Sequence, residues 1–112
     1  MFINRPDPLV QGGGGTGPVA NMHAGLVAWQ EGTGEMIFFE PYHKGAVPLL
    51  TLPRLVADIA GTLRIEQVYV LRGRQRRGTA HCQMQTCAFL LSLLQWRGTW
   101  PDLRTMTDEI FE

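Results

Sequence analysis

Hydrophobic and polar positions along this chain fall into six periodic blocks separated by glycine and proline. The first two are short and suit strands: Gly25–Gln30 (GLVAWQ) and Glu35–Glu40 (EMIFFE). They are separated by Glu31-Gly-Thr-Gly34, a connection of the length hairpins use, so the pair predicts a β-hairpin. The second run is apolar at four successive positions, Met36 to Phe39, which predicts a strand buried on both faces. Residues 51–62 predict a helix with Thr51 as N-cap, Pro53 in the first turn and Leu55, Ile59 and Leu63 on one stripe. Gln67–Leu71 (QVYVL) predicts a third short strand, and a basic loop follows at 72–78. Thr79 is placed to cap a helix over about 81–97, with Met84, Cys87, Ala88, Leu91 and Leu94 as its inner stripe. That helix is so apolar all round that it is expected at the centre of the core. Pro101 opens a last helix over about 101–111.

These elements predict an α+β class: a small antiparallel sheet with a central buried helix. Residues 1–22 are expected to be irregular, because Pro6, Pro8, Pro18 and the Gly12–Gly15 run interrupt regular structure, so the single domain is assigned to 23–112. A flexible tether is the plain reading of the glycine run, and a self-cleavage or regulatory segment is the alternative.

Composition narrows the function classes. The 112 residues carry ten basic and ten acidic side chains, so no net field steers the chain toward nucleic acid or membrane. No apolar run approaches the ~18 residues a membrane span needs, and the first residues lack the apolar region of a secretory signal. Cys82 and Cys87 lie five positions apart on the predicted central helix, too far along it to pair, and free thiols fit an intracellular reducing compartment. No spacing of His, Cys, Asp or Glu suggests a metal site.

Four residues together offer a complete reaction. His23 precedes the first hairpin strand and Glu40 closes the second, so a hairpin turned at 31–34 sets them close on one face. Cys82 lies at the start of the apolar helix, where unsatisfied N–H groups favour a thiolate and can bind an oxyanion. Gln75, in the loop that returns to that helix, can donate a second hydrogen bond to the same oxyanion. Taken singly, each has a plain alternative: strand-end polar residues for His23 and Glu40, a structural cysteine, a solvated glutamine. Cys87, deeper in the helix, suits a buried structural thiol. Nucleophile, base, orienting carboxylate and amide donor compose a cysteine-protease constellation.

With His23, Ile37-Phe-Phe-Glu40-Pro41, Gln75 and Ala80-His-Cys82 in place, the chain resembles the adenovirus maturation protease (adenain) family, within the wider clan of SUMO and ubiquitin-like-protein proteases. The order and intervals of the four residues and the FEP motif carry this resemblance over residues 19–101. It implies catalytic roles for His23, Glu40, Gln75 and Cys82, and substrate-binding positions at Ala24, where Trp is frequent, and Gln83, where Gly is usual. It implies an endopeptidase cutting glycine-rich sites in viral structural precursors, in the virion or infected cell. The chemistry requires no cofactor, and DNA or a peptide activator enters only through the resemblance. Arg72, Arg74, Arg76 and Arg77 form a cluster that suits a solvated loop, contact with substrate, or DNA phosphates. Two alternatives stand beside this reading: a catalytically inactive adenain-like binding module, and a deconjugating protease for ubiquitin-like proteins.

Overall fold

The computed structural model describes residues 1–6, 22–47, 49, 51–76 and 81–100. The expected final helix at 101–111, the Gly12–Gly15 run, Thr79 and Arg77 lie outside the described residues; the helix that begins at Cys82 has His81, not Thr79, at its N-cap, with no side-chain cap. The elements run β1 (Phe2–Pro6), β2 (Met22–Gln30), β3 (Glu35–Tyr42), α1 (Arg54–Thr62), β4 (Gln67–Gln75) and α2 (Cys82–Gln95).

β2 and β3 form the expected hairpin, with Leu26 opposite Phe39 and Gln30 opposite Glu35. Gly32 and Gly34 turn the chain with φ of 78° and 69°, a region that costs glycine nothing. β3 occupies an interior position between β2 and β4, and Met36 to Phe39 are wholly buried, two on each face. The four strands follow in the order β1-β2-β3-β4. The sheet is mixed rather than antiparallel throughout. α1 carries the chain back across the sheet before β4 begins, so β4 runs parallel to β3, with Glu35 beside Gln67 and Phe39 beside Leu71.

A helix lies on each face. Leu26, Ile37, Phe39 and Leu71 meet α2 through Phe89, whose ring stacks on Phe39 with centroids 4.4 Å apart. On the other face Ile3, Val27, Met36 and Phe38 meet Val56 and Ala60 of α1. The core is thus two apolar layers separated by the sheet, and α2 covers one side instead of occupying the centre.

Several sequence expectations are corrected by this arrangement. Residues 2–6 are not irregular: β1 pairs antiparallel with β2, Ile3 opposite Gly25 and Arg5 opposite His23. Pro6 ends an edge strand, where a missing N–H costs no ladder bond. β4 continues past Leu71 to Gln75, so the first half of the basic loop is strand. α1 starts at Arg54 with Pro53, not Thr51, at the N-cap, and no side chain caps it. Its buried residues are Val56 and Ala60; of the predicted stripe Ile59 packs half-buried on the same cluster, while Leu55 and Leu63 are exposed. In α2 the buried residues are Thr86 and Phe89, while Met84, Leu91 and Leu94 of the expected inner stripe are each more than 60% exposed. Cys87 is exposed as well, not the buried structural thiol expected, and both cysteines are free thiols.

The contact between α2 and the end of the sheet depends on one glycine. A Cβ at Gly73 would lie 2.5 Å from the Pro41 carbonyl oxygen and collide with the Gln85 side chain. Gly61 in α1 has no atom within 4 Å of the corresponding position. Gly73→Ala is therefore expected to destabilise the fold at the upper end of about 1–3 kcal/mol, because backbone must move. Gly61→Ala is expected to stabilise it by about 0.5–1 kcal/mol through helix propensity. Urea midpoints of the two variants against the unsubstituted chain check both signs.

Candidate functional site

The register gathers the candidate residues at one end of the sheet. β2 starts there with His23, β3 ends there with Glu40 and Tyr42, β4 ends there with Gln75, and α2 begins there with Cys82. Extending the β2–β3 pairing from Leu26–Phe39 sets His23 opposite Tyr42, and their rings stack with centroids 4.3 Å apart and planes 11° apart. Glu40 is then the diagonal neighbour of His23 on the same face, close enough for a direct bond.

Glu40 is fully buried and is surrounded by donors. His23 Nε2 lies 2.6 Å from Oε2, and the Tyr42 backbone N–H donates to the same oxygen at 3.1 Å. The Arg5 guanidinium donates through Nη2 to Oε1 and forms an ion pair with it. An ionised carboxylate is acceptor-only, so Nε2 of the neutral ring carries the hydrogen and Nδ1 is the basic nitrogen. His23 is 1% exposed and Arg5 9%, so the whole assembly is removed from water, where an isolated carboxylate would be strongly penalised. Arg5 supplies the compensating charge. Sequence reasoning missed it. The signal was the strand itself: Ile3 and Arg5 alternate with exposed Phe2 and Asn4, which sets Arg5 on the same face as His23.

β4 carries an irregularity where Glu40 pairs with Arg72 but Tyr42 pairs with Gln75. The extra residue on β4 shifts the strand's last position, as bulges beside sites do. Gln75 is buried at that position, and its carbonyl accepts from the His43 N–H at 2.6 Å. The neighbouring Arg74 N–H donates to Gln85 Oε1 at 2.8 Å, which ties the first turn of α2 to the strand end.

Cys82 is partly buried at the first position of α2, and the Thr86 hydroxyl donates to its carbonyl at 2.6 Å. The structure thus joins His23 to Glu40, and it brings Ala24 and Gln83 together as walls of one cavity. By strand alternation His23 and Glu40 lie on the α1 face with Val27, Met36 and Phe38, whereas Ala24 lies on the α2 face with Leu26. Cys82 enters from the α2 layer at the same sheet end. Among the described residues the Cys82 thiol makes no hydrogen bond, to His23 or to any other group.

The arginine cluster divides. Arg72 is half-buried: its Nη2 donates to the Val47 carbonyl and lies 3.5 Å from that of His43, and burial lowers its pKa from the ordinary value. It fastens the 43–47 turn to β4. Arg74 and Arg76 are exposed. Among the described residues no group of three or more His, Cys, Asp or Glu side chains is arranged to hold a metal ion, and no helix is long and apolar enough to cross a membrane.

Comparison with protein-family models, with curated proteins and with solved structures found no match to this chain.

The buried assembly makes a stability prediction. Arg5→Ala leaves Glu40 buried without its counter-charge and is expected to cost about 3–5 kcal/mol, as breaking a buried pair does. Arg5→Met combined with Glu40→Gln removes both charges and is expected to cost less than Arg5→Ala alone. Urea unfolding of the three proteins, followed by tryptophan fluorescence, checks the order.

Proposed function

We propose that the chain is a thiol endopeptidase in which Cys82 is the nucleophile and His23 its base. The observation that carries this reading is the buried Nε2–Glu40 hydrogen bond, which orients the imidazole and stabilises its protonated form. With Nε2 engaged, Nδ1 is the nitrogen that takes the thiol proton. For this step the Cys82 thiol, which enters from the α2 layer, has to reach the ring around the end of the sheet. The thiolate attacks the substrate carbonyl carbon, and the oxyanion is held by the Cys82 backbone N–H and the Gln75 side-chain amide. His23 then returns its proton to the departing amine, and water hydrolyses the acyl-enzyme with His23 again as base.

The substrate class rests on the resemblance of the sequence pattern at His23, Glu40-Pro41, Gln75 and Cys82 to the adenain family: a polypeptide cut at small, glycine-rich sites, with viral structural precursors as the natural source and the virion or infected cell as the setting. No cofactor enters the steps above. An activating peptide, or DNA at Arg74 and Arg76, belongs to the same proposal.

One observation favours a second reading, a catalytically inactive binding module of the same architecture. The Cys82 thiol has no hydrogen-bond partner among the described residues. Alkylation at about pH 6 separates the two, since an unperturbed thiol with pKa near 8.5 is almost wholly protonated there. An active enzyme is expected to label at Cys82 about tenfold or more faster than at Cys87, and His23→Ala should abolish the difference, as loss of a thiolate-stabilising base does. Glycine-rich peptides should be cleaved by the same protein and not by Cys82→Ser. Equal slow labelling of both thiols, with no cleavage, would leave the binding module.

A further inference from the structure

Beside the first turn of α2 lies a cavity of about 250 Å³, bounded by Phe2, Ile3 and Asn4 of β1, Ala24 of β2, and Gln83, Thr86 and Cys87 of α2. Its described walls come from three elements, and Ile3, Ala24 and Thr86 among them are buried. Among the described residues no Asp, Glu, Lys, Arg or His lines it. The Thr86 hydroxyl already donates to the Cys82 carbonyl, so it makes no further demand on an occupant. The amides of Asn4 and Gln83, both exposed, are the polar groups of the lining. A dry apolar cavity of roughly 150 Å³ accepts a benzene ring, so this one has space for a whole aliphatic or aromatic side chain. Ala24 is the residue that leaves the space open, because it presents a single methyl where β2 faces α2.

We infer that this cavity is a subsite for one apolar side chain of a polypeptide, aliphatic or aromatic, held next to the residue that follows Cys82. Its use in selecting substrates rests on the peptidase reading; its existence does not. A charged side chain would be desolvated there and finds no charged partner among the described lining residues, so an apolar one is favoured. Specificity at this position is set by Ala24: a bulky residue in its place fills the cavity and removes the preference.

Cys87 on the wall allows a test that needs no turnover. In the full chain carrying Cys82→Ser, Cys87 is offered disulfides of mercaptoethanol with phenethyl thiol or with aminoethyl thiol, under excess mercaptoethanol. The Cys87 thiolate attacks the disulfide, a new S–S bond forms to the probe, and mercaptoethanol leaves as a thiolate that takes up a proton. At equilibrium the phenethyl adduct is expected to exceed the ammonium-bearing one by about tenfold, the ratio expected from burying an apolar group of this size. Ala24→Trp should bring the ratio near one. Equal capture of the two probes, or a preference that persists in Ala24→Trp, overturns the proposal. Should Ala24→Trp not fold, the unsubstituted chain decides. N-acetyl-leucinamide should slow iodoacetamide labelling of Cys87 and N-acetyl-lysinamide should not, and equal protection by both overturns the subsite. Selective capture in a chain whose Cys82 proves unreactive keeps the subsite and removes the peptidase. A reactive Cys82 with no selectivity at Cys87 does the reverse.

Discussion

A single buried carboxylate constrains the end of this sheet. Glu40 is fully enclosed, and its two oxygens are shared among Arg5 of β1, His23 of β2 and the backbone of Tyr42 in β3 itself. A charge in that position is tolerable only while all its donors are present, so three strands must be in register for the arrangement to exist. The edge strand β1 is therefore more than a cover for Ile3. It supplies the counter-ion for a carboxylate two strands away, and the geometry of the His23 ring depends on it through Glu40.

How far the sequence disclosed this arrangement varies with the physics of each segment. The β2–β3 hairpin was legible because Gly32 and Gly34 announce the turn and Met36–Phe39 has no polar side to misplace. The pairing of His23 with Glu40 followed from that turn, although the actual register makes them diagonal neighbours and gives Tyr42 the direct position. The phase of α2 was not legible. Between Cys82 and Gln95 it contains no charged residue, so periodicity cannot distinguish the side that meets Phe39 from the side that bears Met84, Leu91 and Leu94. β1 was hidden by its prolines, which mean a break in a central strand but little at an edge. The direction of β4 was not encoded locally at all: whether it runs parallel or antiparallel is decided by the α1 crossover, not by any residue within it.

Two layers converge on the candidate site, and each contributes what the other lacks. The face toward α1 holds the charged and aromatic assembly of Arg5, Glu40, His23 and Tyr42, sealed from water. The face toward α2 holds a helix start with a thiol and an open apolar cavity beside it. Gly73 lets them approach at the sheet end, because no side chain separates Pro41 from Gln85 there. In the proposed enzyme, the dry layer tunes the base and the open layer receives the peptide.

Glu40 also has a part to play before the fold exists. Met36-Ile-Phe-Phe39 is uncharged, β-prone and free of proline, the composition that lets unfolded chains stack into cross-β assemblies. Its native neighbour β4 arrives only after a long parallel crossover, a slow class of closure that leaves such a segment uncovered meanwhile. Glu35 stands on one side of the segment, and Glu40 with Pro41 on the other, a charge at each end and a proline stop that oppose intermolecular pairing. The carboxylate that organises the finished sheet thus guards the same strand while the chain is still unfolded.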